Sequence, residues 1–543
     1  MMLAPQRLLH VLQTNVPPVH GLNTTGAIAA MPETDAIEMD NFISTDLGVA
    51  VREGWREYAT NLGGALRTVM SYEGSPLLST TSPLALSQLF AVTDAGIFDI
   101  EGGGDFNAVA PEIALSNAIF AGRMSCVQFT TDAGQYLIAC SEVDGGFLYN
   151  GVSWMKMSSI GGPGPGFITG VDPSKFVQVC AFKKRLMFVE RGKAAAWILP
   201  VGQVGGAAVK FDFGPLMRHG GMLLALANWT QDAGEGTDDR LVVLGSSGDL
   251  LIYQGIDPTS AEFENVGTWY IGQPPVGRRC FTESGGNVFV LTVFGVIPVT
   301  QIVQGGIDSL LTSGTEYFQQ LQKLQDVLNR DFSVTASLVG WELMHIPVKA
   351  LIHIARPQTV SGEFIQYVFQ EHNLAWSRLL DVPATTFGKR LNEIYAGTSD
   401  GRVLRVLDGP NDGMLLNGTG AHEIRARLTP AFSYFGNPTT LKQALMCRVN
   451  FLSNADPGYV ISMNVDFALQ APDSAPTPGT FIGSLWDASF WDAAFWVGAR
   501  GAFGEWRSIE GLGYSLAPSI YIATQTPTTI ANIEYMLKGG GPM

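Results

Sequence analysis

Charge is scarce in this chain. Asp, Glu, Lys and Arg make up 15% of its 543 residues, where soluble domains carry about 25%. Bases are the scarcer kind: 33 Lys and Arg stand against 49 Asp and Glu, a formal net charge of −16. Gripping nucleic acid through phosphate neutralisation needs clustered Lys and Arg, so the chain is a poor candidate for that role. A surface that DNA slides past is still compatible with it. Apolar runs are short, and none reaches the roughly 18 residues of a membrane-spanning helix. The opening MMLAPQRLLHVLQTNVPPVHG has one basic residue and an apolar patch broken by Gln, His and Pro. No export signal is expected from it.

Chemistry-bearing motifs are equally thin. There is no P-loop and no strand–GxGxxG–helix. The Gly161–Gly166 run carries prolines, which remove the backbone donors that cradle phosphate. No HExxH or EF-hand string occurs, and the seven histidines are not paired at metal-ligand spacing. Gly245-Ser246-Ser247-Gly248 leads into a strand, so it is not a nucleophile elbow. The five cysteines, at 126, 140, 180, 280 and 447, lie far apart in apolar segments. They are expected to be buried small hydrophobes of a protein made in a reducing cytoplasm. Asp232, Glu235, Asp238 and Asp239 form a dense acidic loop. Its oxygens suit a hard cation such as Ca²⁺, although a solvated loop is the plainer expectation. No catalytic residue, cofactor or metal is assigned.

What the chain has is apolar and aromatic residues, 46% and 10%, and 63 glycines. That glycine share is about 12%, against a usual ~7%. It points to many tight turns. One pattern recurs: an apolar run, a polar turn with Gly, then a second apolar run. It covers Leu89–Ile100, Tyr136–Asn150, Leu186–Leu199, Leu241–Gln254, Asn287–Thr300, Ala350–Trp376 and Asn392–Leu407. Each unit predicts a β-hairpin. Their spacing of about 50 residues suits four-stranded propeller blades.

The predicted fold is therefore all-β. It is a divergent β-propeller of six or seven blades with an additional antiparallel β domain, built from the C-terminal region and the N-terminal segment. The domain reading is 1–60 joining the β platform, 61–412 propeller, and 413–543 C-terminal β domain. A helical insertion at about 306–330 interrupts the propeller, because Tyr317, Leu321, Leu324 and Leu328 recur at helical spacing. After about 415, RARLTPAFSYFG, ALMCRVNFLSN and YVISMNVDFAL alternate as half-buried strands.

Candidate interface residues follow from composition. Trp486, Trp491, Trp496 and Trp506 fall within 21 residues, in a WDASFWDAAFW near-repeat. Such aromatics anchor interfaces or form a core corner. Arg278 and Arg279 form an isolated basic pair, and Tyr317 and Leu321 lie on the helical stripe. All are taken as candidate contacts with partners.

Several strings together resemble one family. They are Ala36–Phe42 with Val51–Trp55, Ile271–Arg279 with Gly286–Val299, Gly340–Leu343, Gly436–Lys442, and the tandem Leu-Trp-Asp-Ala repeat with a Gly-Gly-Gly-Pro end. In that order they resemble the tail nozzle or tail hub proteins of podoviruses, relatives of packaged-DNA stabilisation proteins. The resemblance implies a non-enzymatic virion protein, made in the host cytoplasm, that forms a six-fold ring below the portal and its adaptor. It would contact tail fibres or a tail-tip protein, pass double-stranded DNA without binding it specifically, and meet the host envelope only at infection. The acidic loop 232–239 has no place in that pattern. The alternative reading is a propeller that binds or hydrolyses polysaccharide, with candidate carboxylates at Asp94, Asp144, Asp249 and Asp400. A third, a quinone-dependent propeller dehydrogenase, would call for export.

Overall fold

Thr237–Gly245 and Asp249–Gln254 run antiparallel across a short turn in which Gly248 takes φ +94°. A Cβ there would lie 2.8 Å from the carbonyl oxygen of Gln273, so glycine is required on both counts. The computed structural model describes residues 10–74, 87–232, 237–258, 260, 262–284, 286–304, 316–335, 338–358, 362–477 and 501–539. Within them the same strand–turn–strand unit recurs seven times, and each predicted hairpin supplies the middle of one blade. The first four blades have four strands and the fifth has three; the sixth contributes four strands to a larger sheet, and the seventh is a five-stranded sheet.

The innermost strands begin at Leu66, Met124, Phe176, Leu223, Phe281, Glu342 and Thr386. They touch in that order, and the last touches the first. The fold is thus a seven-bladed β-propeller. Its last blade is completed by the N-terminal strand Trp55–Thr60, which pairs antiparallel with Val403–Val406. This corrects the 1–60 boundary: residues 55–60 belong to the propeller. The strand goes there because Val403–Val406 would otherwise leave an unpaired edge, and pairing first with last closes the ring.

The remaining strands build the second domain. Ala36–Asp40 lies beside the outer strand of the sixth blade, Ala375–Leu380, with Asp40 opposite Arg378. The blade sheet then continues through Ile424–Pro430, Leu516–Thr524 and Gly458–Val465 into an eight-stranded sheet. A second sheet carries Phe42–Thr45, Gly48–Val51, Thr528–Gly539 and Lys442–Ser453, flanked by His10–Asn15, Gly501–Phe503 and Trp506–Gly513. Burial alternates along Lys442–Ser453, as a strand covered on one face requires. Phe42, Val449, Phe451 and Ile533 from one sheet and Leu428, Ile520 and Ile522 from the other share one apolar cluster. That cluster runs on into the propeller through Val290 and Ile352.

The helical insertion expected at about 306–330 is helical from Glu316 to Thr335 among the described residues, with a short helical stretch at 299–304 before it. Two helices, α1 (Glu316–Gln322) and α2 (Gln325–Thr335), replace the single one expected. The break sits at Lys323, whose carbonyl accepts from both the backbone N–H and the hydroxyl of Thr24, each at 2.8 Å. A carbonyl held from outside is lost to the helix ladder. Residues 305–315 lie outside the described residues.

Candidate functional site

The propeller axis is the natural place for a site, because seven inner strands converge there. One arginine occupies it. Arg279 lies just before the first strand of the fifth blade, and its guanidinium reaches four other places. Nη1 donates to the Arg67 carbonyl at 3.0 Å, to Thr386 Oγ1 at 3.1 Å and to Glu342 Oε2 at 3.4 Å. Nη2 donates to the Met124 carbonyl at 2.8 Å and to Thr68 Oγ1. Those partners belong to the first, second, sixth and seventh blades. The planar fork of five donors makes this possible, and lysine could not reproduce it. Its neighbour Arg278 donates Nη1 to the carbonyls of Leu223 and Leu224, at 3.4 and 2.6 Å, at the start of the fourth blade.

Arg278 and Arg279 are the pair taken from the sequence as candidate partner contacts. Their hydrogen bonds are intramolecular, and the Arg279 side chain is only 11% exposed. An unbroken ring leaves an axial hole lined with backbone ends, and a short cationic pair satisfies them. The adjacency of two arginines was visible in the sequence; their position on the axis was not.

The arginines separate two cavities. One, of about 460 Å³, lies among the inner strands and is lined by Cys126, Gln128, Gln178, Glu342, Lys389 and others. The second, of about 670 Å³, lies at one mouth beneath α2. Cys126 is the exception among the cysteines: it is exposed to the first cavity, while the other four are buried. The protein surrounding Cys126 raises its thiol pKa, and Arg279 works against that rise. Burial pushes Cys280 and Cys447 up to about 12, so neither is a thiolate.

The helical candidates are also intramolecular. Leu321 is 1% exposed and belongs to the main core, together with Leu324 and Leu328. Tyr317 is half-buried between the rings of Phe289 and Phe369, at 6.2 and 5.6 Å. Trp376 fastens α1 by donating to the carbonyls of Gln320 and Leu321. The periodicity was correct, but the face it marks packs on its own propeller.

The residues flanking the acidic loop pair as strands. Thr230 pairs with Asp239, Gln231 with Asp238 and Asp232 with Thr237. Asp239 accepts from the Thr230 hydroxyl at 2.8 Å and faces Lys183 at 3.4 Å. Glu235 lies outside the described residues, as do Trp486, Trp491 and Trp496. Among the described residues no group of three or more His, Cys, Asp or Glu side chains is placed to hold a metal.

The turn aspartates have structural partners. Asp94 accepts from the Gly122 N–H at 3.0 Å and pairs with Arg67 at 2.9 Å. Asp144 accepts from the Ser116 N–H at 2.9 Å, and Asp249 from the His219 N–H at 2.8 Å. Asp400 pairs with Arg402 at 2.8 Å. In the first, second and fourth blades a hairpin-turn carboxylate thus ties down a segment that connects blades.

One cluster imitates a catalytic triad. Ser284 Oγ lies 3.1 Å from His345 Nε2, and Glu371 Oε2 lies 3.0 Å from the same nitrogen. Ser284 also donates to Glu371 Oε1 at 3.0 Å. A relay needs the acid on one ring nitrogen and the nucleophile on the other. Here both crowd Nε2, so the imidazole cannot take the serine proton while the acid orients it. The hydrogen bond from His345 holds the Glu371 carboxyl below its ordinary pKa.

No protein-family model matches the chain, and no curated protein matches it. Among solved structures it is similar to the β-propeller domain of Cps50 (Swd1) from Myceliophteria thermophila. That match has 12% identity, a TM-score of 0.38, and coverage of 65% of this chain and 98% of the other. It is also similar to the computationally designed Ika8 protein, at 8% identity and a TM-score of 0.34, covering 65% of this chain and 99% of the other. Raptor of Chaetomium thermophilum matches at 11% identity and a TM-score of 0.35, covering 65% of this chain and 29% of the other. Likenesses this slight carry no functional argument, and the propeller assignment rests on the strand pairing itself.

Proposed function

We propose that the protein is a structural component of a bacteriophage tail, a ring-forming nozzle or hub that helps form and close the DNA conduit. The observation that most supports this reading is the splice between domains. The sixth blade and the platform share one sheet, and one apolar cluster runs through both. A propeller built rigidly into a platform suits a load-bearing assembly part better than an independent binding module. The acidic balance agrees, since a negative wall repels phosphates as DNA passes. Because Arg279 occupies the propeller axis, DNA would run between copies of the chain and not through the propeller. The partners in this reading are further copies of the chain, a portal or adaptor, and a fibre or tail-tip protein.

The test is immunogold electron microscopy of virus particles from the source culture, with an antibody against this chain. Label confined to the tail, with six-fold rings in averaged images of the purified protein, is the expected result. Intact unlabelled tails, with the chain only in the soluble fraction, would overturn the reading. Assays of sugar release from host surface glycans would then come first.

A further inference from the structure

The cavity at the α2 mouth of the axis, about 670 Å³, is large enough for one small organic molecule. Its walls are mainly apolar. Phe332 and Trp341 are buried in the floor, while Met222, Leu338 and Val339 are 39%, 37% and 49% exposed at the rim. Two polar features stand out against this lining.

The first is an excess of positive charge. Three guanidiniums, of Arg123, Arg278 and Arg279, stand against two carboxylates, of Glu142 and Glu342. Glu342 pairs with Arg279 at 3.4 Å, and Glu142 takes only Nε of Arg123 at 3.3 Å. Among the described residues Arg278 reaches no carboxylate: its partners are two carbonyls and, at 4.0 Å, the Met222 sulfur. Arg191 adds charge of the same sign nearby. Burial lowers the pKa of both Arg123 and Arg278, and Arg279 lowers that of Arg123 further. Such a spot is unusual on a chain of net charge −16. The second feature is Asn329 on α2, a lining residue whose Oδ1 is buried without a partner among the described residues. A buried acceptor left unpaired is costly, and a donor would remove that cost.

We propose that this cavity binds a small amphipathic organic monoanion. Its charged head sits on Arg278 and Arg123, its apolar body lies against Val276, Phe332 and Trp341, and a hydrogen-bond donor meets Asn329 Oδ1. A cation is repelled by the guanidiniums. The site is independent of the assembly reading.

The dye 1-anilinonaphthalene-8-sulfonate has the three features required: an anionic head, an apolar aromatic body and an N–H. N-phenyl-1-naphthylamine keeps the body and the N–H but carries no charge. Fluorescence titration of the full chain should show one saturable site for the sulfonate, at least roughly ten-fold tighter than for the neutral dye. Arg278→Met should erase that advantage while neutral-dye binding stays. Arg278 also holds two blade carbonyls, so a second variant guards against misfolding. Ser333→Trp, from an exposed position on α2, fills the cavity and should abolish both signals with an unchanged melting temperature. Equal affinity of the two dyes for the unmodified chain overturns the proposal. So does sulfonate binding that survives both substitutions.

Discussion

Arg52 and Asp412 meet in a bidentate pair, Nη1 to Oδ1 at 2.8 Å and Nη2 to Oδ2 at 2.6 Å, across 360 residues of chain. Both side chains are almost wholly buried, at 0% and 3% exposed. Nε of Arg52 donates to Asn41 Oδ1 at 2.9 Å, and Nη2 also donates to the Leu380 carbonyl at 3.0 Å. The guanidinium therefore joins the platform strands, the sixth blade and the segment beyond the seventh.

Breaking that pair leaves a buried charge alone. Arg52→Ala or Asp412→Asn is expected to destabilise the chain by about 3–5 kcal/mol. Replacing both partners together, as Arg52→Met with Asp412→Leu, should recover part of the loss. Urea unfolding followed by tryptophan fluorescence measures this. A single-substitution loss under about 1 kcal/mol would show that the pair does not hold the junction.

Arg279→Met removes the axial clamp and leaves Glu342 with the Thr386 hydroxyl but without its cation. The expected effect is a fall in melting temperature and faster hydrogen exchange at the inner strands of the first, second and seventh blades. Arg279→Lys should rescue little, because an ammonium cannot serve partners spread over four blades. Full rescue by lysine would contradict the clamp.

His353 ties stability to pH. It is 2% exposed and packs at a tilt of 56° against Phe387 with ring centroids 4.1 Å apart. Burial lowers its pKa from 6.5 to about 3. Between those values the unfolded chain takes up a proton that the folded chain excludes. The contribution of the neutral ring is therefore complete above pH 6.5 and is lost as pH falls toward 3, at about 1.4 kcal/mol per pH unit. His353→Phe should flatten the stability profile in that window. Parallel profiles for the two proteins would contradict the assignment.

Cys126 should be the single thiol open to reagents in the folded chain. Its raised pKa makes the reaction slow. Intact-mass analysis after iodoacetamide is expected to show one adduct, with four more appearing only on denaturation. Rapid native labelling at two or more sites would mean that the buried thiols are reachable.

The hairpins were legible because all but Ala350–Trp376, which has a longer turn, lie within about 16 residues of chain. Leu241–Gln254 carries its alternation, its Gly248 turn and its partner strand together, so local chemistry suffices. The same holds for the other short units, and for the alternating strand Lys442–Ser453. The stripe Tyr317, Leu321, Leu324, Leu328 was equally readable as helical. Its break at Lys323 was not, because Thr24, nearly 300 residues earlier, supplies the competing donors. Likewise nothing near Trp55–Thr60 marks it as the strand that closes the seventh blade, since its partner is Val403–Val406.

The sequence by itself therefore determined the hairpin units and the all-β class, for turn formation and pleat alternation are properties of neighbours; that the blades number seven was decided by the tertiary structure. Tertiary structure alone decided how the ring closes, that Arg279 fills the axis, and that Leu321 and the basic pair face inward. Those outcomes depend on which unpaired edges and buried polar groups meet once the blades stand in a circle. Two adjacent arginines carry the same local signal on a surface and on an axis; only the surrounding carbonyls and carboxylates distinguish the two.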